Sequence, residues 1–417
     1  MSEIKGVNAI EILDSRGNPT VKAMVVLENG VSGSAAVPSG ASTGKYEAIE
    51  LRDKDVRYGG LGVLTACENI NKKIAKKIIG LDASDQKKID KILIELDGTE
   101  NKSNLGANAT LAVSMAVARA AANAENIPLY KYLAKTFSFK KPKSIPTAFF
   151  NVLNGGAHSD SGLSIQEFQI IPREFKKFSE KLQAAAEIFH KLKEILTGAG
   201  YPVGVGDEGG FAPRLESNVE AFDFIERAIR ETGYNFQGTV SIGIDAAASG
   251  FFDENRQIYT LKPENISLEA ERLVALYQEW KKKYNLFSIE DGLAEDDFEN
   301  WKTMNEKMGS GTLIIGDDLL TTNVNRLEKA LSFSAAGAAI VKPNQIGTLS
   351  ETIDFVKKCQ KNKLKIVVSH RSGETEDSFI ADLAVAVGAE FVKFGAPCRS
   401  ERAAKYNRLL EIENEIK

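Results

Sequence analysis

Six short apolar runs in the second half of the chain each end on ionisable side chains. They finish in Asp245, Glu290, Asp317, Lys342, His370-Arg371 and Lys393. Ala339-Ile340-Val341 before Lys342 shows the pattern. One polar residue after a strand is ordinary. Six in succession, all ionisable, indicate strand ends that meet on one face, where active sites of β/α barrels sit. Asp245, Glu290 and Asp317 would repel one another at close range without a cation. Oxygen donors alone suit a hard ion such as Mg²⁺, and the lack of a His or Cys partner disfavours zinc. Ion pairs to barrel lysines are the structural alternative. Lys342 and Lys393 are the second class of group. A lysine beside a divalent cation and a second ammonium has its charged form disfavoured, and such a lysine takes a proton near neutral pH.

Three Gly-rich segments carry further polar groups. Asn154-Gly-Gly-Ala-His158 is followed by Gln166 and Glu167, and Glu208 lies in Gly206-Asp-Glu-Gly-Gly210. The third, Ser39-Gly-Ala-Ser-Thr-Gly-Lys45, looks superficially like a phosphate-binding P-loop. The Gly40–Gly44 spacing is too short and Tyr46 replaces the Ser or Thr after the lysine, so a mobile lid is the better reading. His158 and His370 sit in polar segments, whereas His190 falls in a helix pattern and reads as structural.

The elements that must position these groups follow a regular alternation. β-rich runs at Ser241–Asp245, Leu286–Glu290, Leu313–Asp317, Ala338–Lys342, Ile366–His370 and Phe391–Lys393 are separated by helix-like segments. Ser267, Asn323 and Thr348 read as helix caps. Strand and helix in this order mean βα units around a parallel sheet. Two strands lie upstream, at Ala148–Leu153 and Phe168–Pro172, with helices at Lys177–Leu196 and Val219–Arg230 after them. Eight strands is the number that closes a barrel; an open doubly wound sheet is the competing architecture. The expected fold is therefore α/β, an eight-stranded TIM-like barrel over residues 143–417 with a smaller α+β domain over residues 1–135. Alternation at Thr20–Leu27 and the Asn29-Gly30 turn predict an antiparallel meander in the small domain. Helices are expected there at Leu64–Ile79, Asp85–Ile94 and Asn108–Ala124, with a Lys-rich link at Thr136–Ser144.

Composition narrows the function. The chain has 417 residues, 43% hydrophobic and 26% charged, which excludes bulk disorder. Lys plus Arg is 53 against 57 for Asp plus Glu, so no basic excess marks a nucleic-acid binder. Cys67, Cys359 and Cys398 are far apart, which excludes a disulfide scaffold and fits a reducing cytoplasm. Met1–Ile10 has no apolar run of signal-peptide length. The most apolar stretches, Leu105–Ala124 and Phe379–Val392, are broken by Arg119 and Asp382 and read as buried helices rather than membrane spans.

With these residues in view, the sequence resembles the enolase family from end to end. The matching segments are Asp14-Ser-Arg-Gly-Asn-Pro-Thr20, Val37-Pro-Ser-Gly-Ala-Ser-Thr-Gly44, Asn154-Gly-Gly-Ala-His158, Gln166-Glu-Phe168 and Gly206-Asp-Glu-Gly-Gly-Phe-Ala-Pro213. They continue with Ser288-Ile-Glu-Asp291, Gly316-Asp-Asp-Leu319, Lys342, Asn344-Gln-Ile-Gly-Thr348, Ser369-His-Arg-Ser-Gly-Glu-Thr-Glu-Asp377 and Gly395-Ala-Pro-Cys-Arg-Ser-Glu-Arg402. The resemblance implies reversible dehydration of 2-phospho-D-glycerate to phosphoenolpyruvate, with two Mg²⁺ per site. It implies Asp245, Glu290 and Asp317 as ligands of the first Mg²⁺, and Ser39 as the group that brings the lid and the second Mg²⁺ together. Lys342 is implied as the C2 base, and Glu208, assisted by Glu167, as the acid at the C3 hydroxyl, kept protonated by its carboxylate-rich surroundings. Lys393 is implied to face the substrate carboxylate, and Arg371 and Ser372 the phosphate. His158, Gln166 and His370 would complete the substrate shell. A barrel that begins with two strands and then two helices is also implied, as is a homodimer or a multiple of it, with Asp14–Thr20 contributing to the interface. Ser34, Gly250, Gly292, Gly337 and Phe394 depart from the usual pattern, but none removes a proposed ligand or catalyst. A secondary surface role, with Lys417 offering a lysine carboxylate, is the remoter expectation; a frayed charged end is the plainer one.

Overall fold

The computed structural model describes residues 2–40, 44–236 and 238–416. The tip of the expected lid, Ala41-Ser42-Thr43, and the terminal Lys417 lie outside the described residues. β1 (Ile4–Leu13), β2 (Pro19–Leu27) and β3 (Ser32–Ala36) form the expected antiparallel meander. On β2, Val21, Ala23, Val25 and Leu27 are buried while Lys22 and Met24 face out, the period-two pattern of a sheet with one packed face. That face meets α4 (Ala107–Ala124), whose small residues allow close approach. A Cβ at Gly33 would lie 2.2 Å from the Ala120 nitrogen.

The single helix expected over Leu64–Ile79 is instead α1 (Leu64–Glu68), a π-helical stretch (Asn69–Ile74) and α2 (Ala75–Ile78). Asn71, in the π stretch, bonds both backbone groups of Ala9 on β1, at 2.7 and 3.1 Å. α3 (Gln86–Asp97) and α5 (Leu129–Thr136) complete this part of the chain.

The barrel begins with β4 (Thr147–Asn154), β5 (Glu167–Pro172), α6 (Phe178–Gly198), α7 (Asn218–Glu231) and β6 (Val240–Asp245). A small antiparallel sheet of β7 (Phe252–Asp253), β8 (Ile258–Leu261) and β9 (Ile266–Leu268) precedes α8 (Ala270–Tyr284). Ser267 lies in β9 and does not cap α8; Glu269 occupies that position. The alternation then runs β10 (Leu286–Glu290), α9 (Phe298–Met308), β11 (Leu313–Gly316), α10 (Val324–Phe333) and β12 (Ala338–Val341). It ends with α11 (Leu349–Lys361), β13 (Lys365–Ser369), α12 (Phe379–Val387), β14 (Phe391–Lys393) and α13 (Ser400–Ile416). Asn323 and Thr348 do cap α10 and α11, accepting from backbone N–H groups of the first turn.

The eight strands close in the order β4-β5-β6-β10-β11-β12-β13-β14. The barrel is not wholly parallel. β5 runs antiparallel to both β4 and β6; the connection after β4 carries only a three-residue 3₁₀ turn (Gly156–His158), too short to make a crossover. This reversal matters for the site. Glu167, the first residue of β5, pairs with Asp245, the last of β6, so both lie at the same barrel mouth.

Buried polar contacts join the first 135 residues to the barrel. Lys102 meets Glu351 at 2.8 Å, Arg119 meets Asp377 at 2.5 Å, and Asp90 accepts from the backbone and hydroxyl of Ser350 at 2.9 and 2.7 Å.

Candidate active site

The pocket at the barrel mouth is lined by groups from nearly every strand end. Asp245 ends β6, Glu290 ends β10, and Lys393 ends β14. Each continues an apolar strand whose pairing fixes its height. Lys393 Nζ lies 2.7 Å from Glu290 Oε1, 3.0 Å from Glu167 Oε1 and 3.2 Å from Asp245 Oδ2. One buried ammonium thus gathers three carboxylates. Burial opposes its charge, but Asp245, Glu167 and Glu290 outweigh burial and hold Lys393 well above the ordinary lysine range. Gln166 donates to Asp245 Oδ2 at 3.2 Å.

Asp317 is placed differently from Asp245 and Glu290. It pairs closely with Lys342, and Gln345 donates to its other oxygen at 3.1 Å. With no divalent cation beside it, Lys342 has its charged form favoured. Burial does lower it, but the adjoining Asp317 carboxylate outweighs burial and raises it, because that carboxylate is nearer than either Arg371 or Lys393.

Glu208 sits in the loop between α6 and α7, pinned by the C-terminal segment. Ala396 N–H donates to the Glu208 carbonyl at 2.9 Å, and Arg402 donates to the Asp207 carbonyl at 3.0 Å. Its carboxylate accepts from Asn151 at 2.9 Å and faces His158 Nδ1 at 3.4 Å and His370 Nε2 at 3.3 Å. Burial would raise Glu208, yet the imidazoles carry it well below the usual carboxylate range. Burial and the neighbouring Glu208 push Glu167 up to about 8. Of this pair, Glu167 is the carboxyl pushed up and Glu208 the one carried down. The two histidines differ. Burial pushes His370 down to about 3, while Glu208 outweighs burial at His158 and raises it. His158 is the imidazole that holds Glu208 ionised.

Arg371 is buried and meets Glu47 through two bonds, at 2.8 and 3.1 Å, with a third to Asn344 at 3.1 Å. Glu47 belongs to the segment after the expected lid, so this pair ties that segment to the mouth. Ser372 follows in the pocket wall. Ser39 is buried but is not among the wall residues. Its hydroxyl donates to Asp14 at 2.8 Å, and its backbone pairs both ways with Gly373 at 2.7 and 2.9 Å.

Several members of the site were given no role in the sequence reading, although Asp291, Asp318 and Arg402 lie in its matching segments. Asp291 and Asp318 stand directly behind strand-end residues, and their carboxylates cluster with Asp317 within 4.8 Å. Asp291 accepts from the backbone of Asp317 and Asp318 at 2.9 and 2.7 Å, which stitches β10 to the turn after β11. Burial first, then Asp317, pushes Asp318 up to about 8. Arg402 and Asn151 reach the site from α13 and β4. Paired acids at the strand ends and the matching segment ending in Arg402 were the signals available; Asn151 had none.

The charge balance of the pocket bears on a metal. Its wall holds seven carboxylates, Glu47, Glu167, Glu208, Asp245, Asp291, Asp317 and Asp318, against three fixed cations, Lys342, Arg371 and Lys393. Glu290 Oε2 is buried without a hydrogen-bond partner. Burial and the Asp245 charge push Glu290 well above its ordinary value. A hard divalent cation fits this all-oxygen, over-negative donor set.

Comparison with known proteins agrees with the geometry. Residues 4–133 match the family model for the enolase N-terminal domain, and residues 142–417 match that for the enolase C-terminal TIM barrel domain. The chain is 50% identical over 416 residues to an enolase of a Nitratiruptor species, covering 100% of this chain and 97% of that protein. An enolase of Wolinella succinogenes gives the same identity and coverage. Two family models in order, relatives matched end to end, and a closed barrel with two lysines among converging carboxylates agree that the chain belongs to the enolase family.

Proposed function

We infer that the protein is a phosphopyruvate hydratase, a hydro-lyase that interconverts 2-phospho-D-glycerate and phosphoenolpyruvate. Family membership supplies the reaction; the division of labour below is our reading of the site. The observation that carries it is the presence in one pocket of two proton-handling pairs, Lys342 with Asp317 and Glu208 with Glu167, together with the Lys393 ammonium that meets Glu167.

The difficulty of the reaction is electrostatic. The C2 proton lies beside an ionised carboxylate, so its removal adds a second negative charge to the same group. Lys393, already desolvated and oriented by three carboxylates, faces the substrate carboxylate and stabilises that dianion. Arg371 and Ser372 bind the phosphate, with Glu47 aligning the guanidinium. Lys342 removes the C2 proton. Glu208 serves the departing C3 hydroxyl, with Glu167 holding the proton that the pair delivers. His158, Gln166 and His370 line the rest of the substrate. Asp245, Glu290 and Asp317 would hold one Mg²⁺ and the Ser39 segment would bring a second. Bound there, such cations would supply positive charge that stabilises the dianion and would offset the negative field around Lys342.

This reading includes an assembly of at least a homodimer. The outward face of the meander leaves Ile10, Leu13 and Met24 exposed beside Asp14–Thr20, which supports that interface. Sedimentation at micromolar concentration should show a dimer or a multiple of it; a monomer would reject it. No helix among the described residues is long and apolar enough to cross a membrane. A cytoplasmic location is the one we propose, with any surface role secondary.

A coupled phosphoenolpyruvate-formation assay tests the function. Activity should disappear with chelator, return with Mg²⁺, and require the substrate phosphate. Full activity in metal-free buffer would overturn the roles given to Asp245, Glu290 and Asp317.

A further inference from the structure

We propose that Arg402 is a positioning residue that fixes the tautomer of His370 and so leaves its ring proton on Nε2, the nitrogen beside Glu208. The inference rests on the reading of Glu208 given above.

Arg402 lies in the first turns of α13 and is completely buried. Its guanidinium stands 2.6 Å from His370 Nδ1 and donates to the carbonyls of Arg371 at 2.6 Å, Ser372 at 2.6 Å and Asp207 at 3.0 Å. Glu401, 3.4 Å from Arg402 Nε, is its carboxylate neighbour. A guanidinium only donates and does not give up its proton in proteins. His370 Nδ1 must therefore accept, and the ring proton of a neutral imidazole is left on Nε2. Burial keeps this ring neutral. Nε2 lies 3.3 Å from Glu208 Oε1, on the side away from Arg402.

The alternative tautomer would set a lone pair of His370 against the carboxylate oxygen of Glu208. Two acceptors would then face each other 3.3 Å apart in a buried site, and Glu208 would lose the N–H beside it. Arg402 removes that alternative. It also ties together the backbone of the Glu208 loop and of the Arg371-Ser372 segment, so one side chain sets both the donor and its distance.

Gly395 gives an independent sign that this convergence is built. A Cβ there would lie 2.8 Å from the Glu208 carbonyl oxygen and 3.0 Å from both Arg402 Cδ and His370 Cε1. Its φ of +87° also suits glycine. A side chain at this position would drive apart the three residues in question while removing none of their functional groups.

The chain contains three histidines, so ¹⁵N-histidine labelling gives a readable spectrum. Long-range ¹H–¹⁵N correlations should show the His370 ring, assigned with His370→Asn, protonated on Nε2 and bare on Nδ1. Arg402→Met keeps length but loses the donors. It should yield a mixture of tautomers and lower kcat for phosphoenolpyruvate formation by about 10–100-fold. KM should change little and C2 hydrogen exchange should persist. Arg402→Lys should restore part of both signals, and Gly395→Ala should shift the tautomer in the same direction as Arg402→Met. A wild-type ring protonated on Nδ1, or an Arg402→Met protein that keeps the Nε2–H tautomer while losing activity, would overturn the proposal. If Arg402→Met does not fold, the wild-type, Arg402→Lys and Gly395→Ala spectra still decide it. Failure of the Glu208 reading looks different: Glu208→Gln would turn over normally while the His370 tautomer stood as predicted.

Discussion

On β14, Phe391 and Lys393 stand two positions apart and meet opposite surroundings. Phe391 is at the strand start, where the barrel interior is apolar. Phe149, Ile171, Ile315, Ala338, Ile340 and Val367 pack there, with Phe287, Leu313 and Phe391 against them. The rings of Phe149 and Phe391 lie 5.0 Å apart, and Phe287 lies 5.7 Å from Phe391. Lys393, at the strand end, has three carboxylates within 3.2 Å and no apolar role. The same strands therefore hold a packed plug at one end and a charge cluster at the other. The plug gains stability from burial and ring contacts. The mouth gathers like charges whose mutual repulsion opposes folding unless cations offset it. The contrast teaches that the plug supplies the rigidity against which the mouth can be held in an unfavourable arrangement.

Substitutions at the two ends should separate these roles. The largest effect on chemistry is expected from Lys393→Met, which leaves Glu167, Asp245 and Glu290 without their shared ammonium. Its kcat should fall by about 10²–10³-fold or more. Steady-state phosphoenolpyruvate formation reads this, and near-normal turnover would dissolve the distinction between the ends. Phe149→Ala should do the reverse. It removes a ring from the plug and should cost about 3–5 kcal/mol of stability, lowering the urea midpoint, while kcat per folded molecule stays within about twofold of wild type.

A smaller, pH-dependent effect should appear away from both ends. Burial opposes ionisation of Asp377, but Arg119 outweighs it and holds this carboxyl below its ordinary value. A depressed carboxylate stabilises the fold above the unfolded value of 3.8 and loses that contribution as pH falls through the folded value. Asp377→Asn should therefore be less stable than wild type at neutral pH, with the gap closing below about pH 4. Thermal unfolding across pH measures it; a gap that is constant with pH would contradict the pairing.

Much of the mouth was legible in the sequence because strand ends in a barrel share a face. Asp245, Glu290, Lys342 and Lys393 each follow apolar runs, and those runs became strands within a residue or so of the expected bounds. The bottom was less legible, since Phe149, Phe287 and Phe391 look like ordinary core residues until closure brings them together. Antiparallel β5 and the β7–β9 sheet were not foreseen, because strand direction and short hairpins depend on tertiary pairing. Glu47 and Asn151 were invisible for a related reason, and Arg402 was seen only as part of a matching segment: all three reach the site from elements distant in sequence. The protonation pattern at Lys342 and at Glu208 was not legible in the sequence, because contact with one specific neighbour outweighs the average charge of a site. Gly292, a departure from the family pattern, has a local reason: a Cβ there would lie 2.9 Å from Ile289 Cγ2 and 3.0 Å from Met304 Sδ.

The division of labour between Lys342 and Glu208 is the centre of this account, and exchange of the C2 hydrogen with solvent deuterium tests it most directly. Lys342→Ala should abolish exchange and turnover together, a loss of about 10²–10⁴-fold or more. Glu208→Gln should block turnover yet leave measurable C2 exchange, because proton removal precedes loss of the hydroxyl in a stepwise route. Both proteins should keep the wild-type circular dichroism spectrum, since neither change removes core packing. If Lys342→Ala exchanged its C2 hydrogen at the wild-type rate, the base would be another group, and the roles assigned to the barrel mouth would have to be redrawn around Lys393.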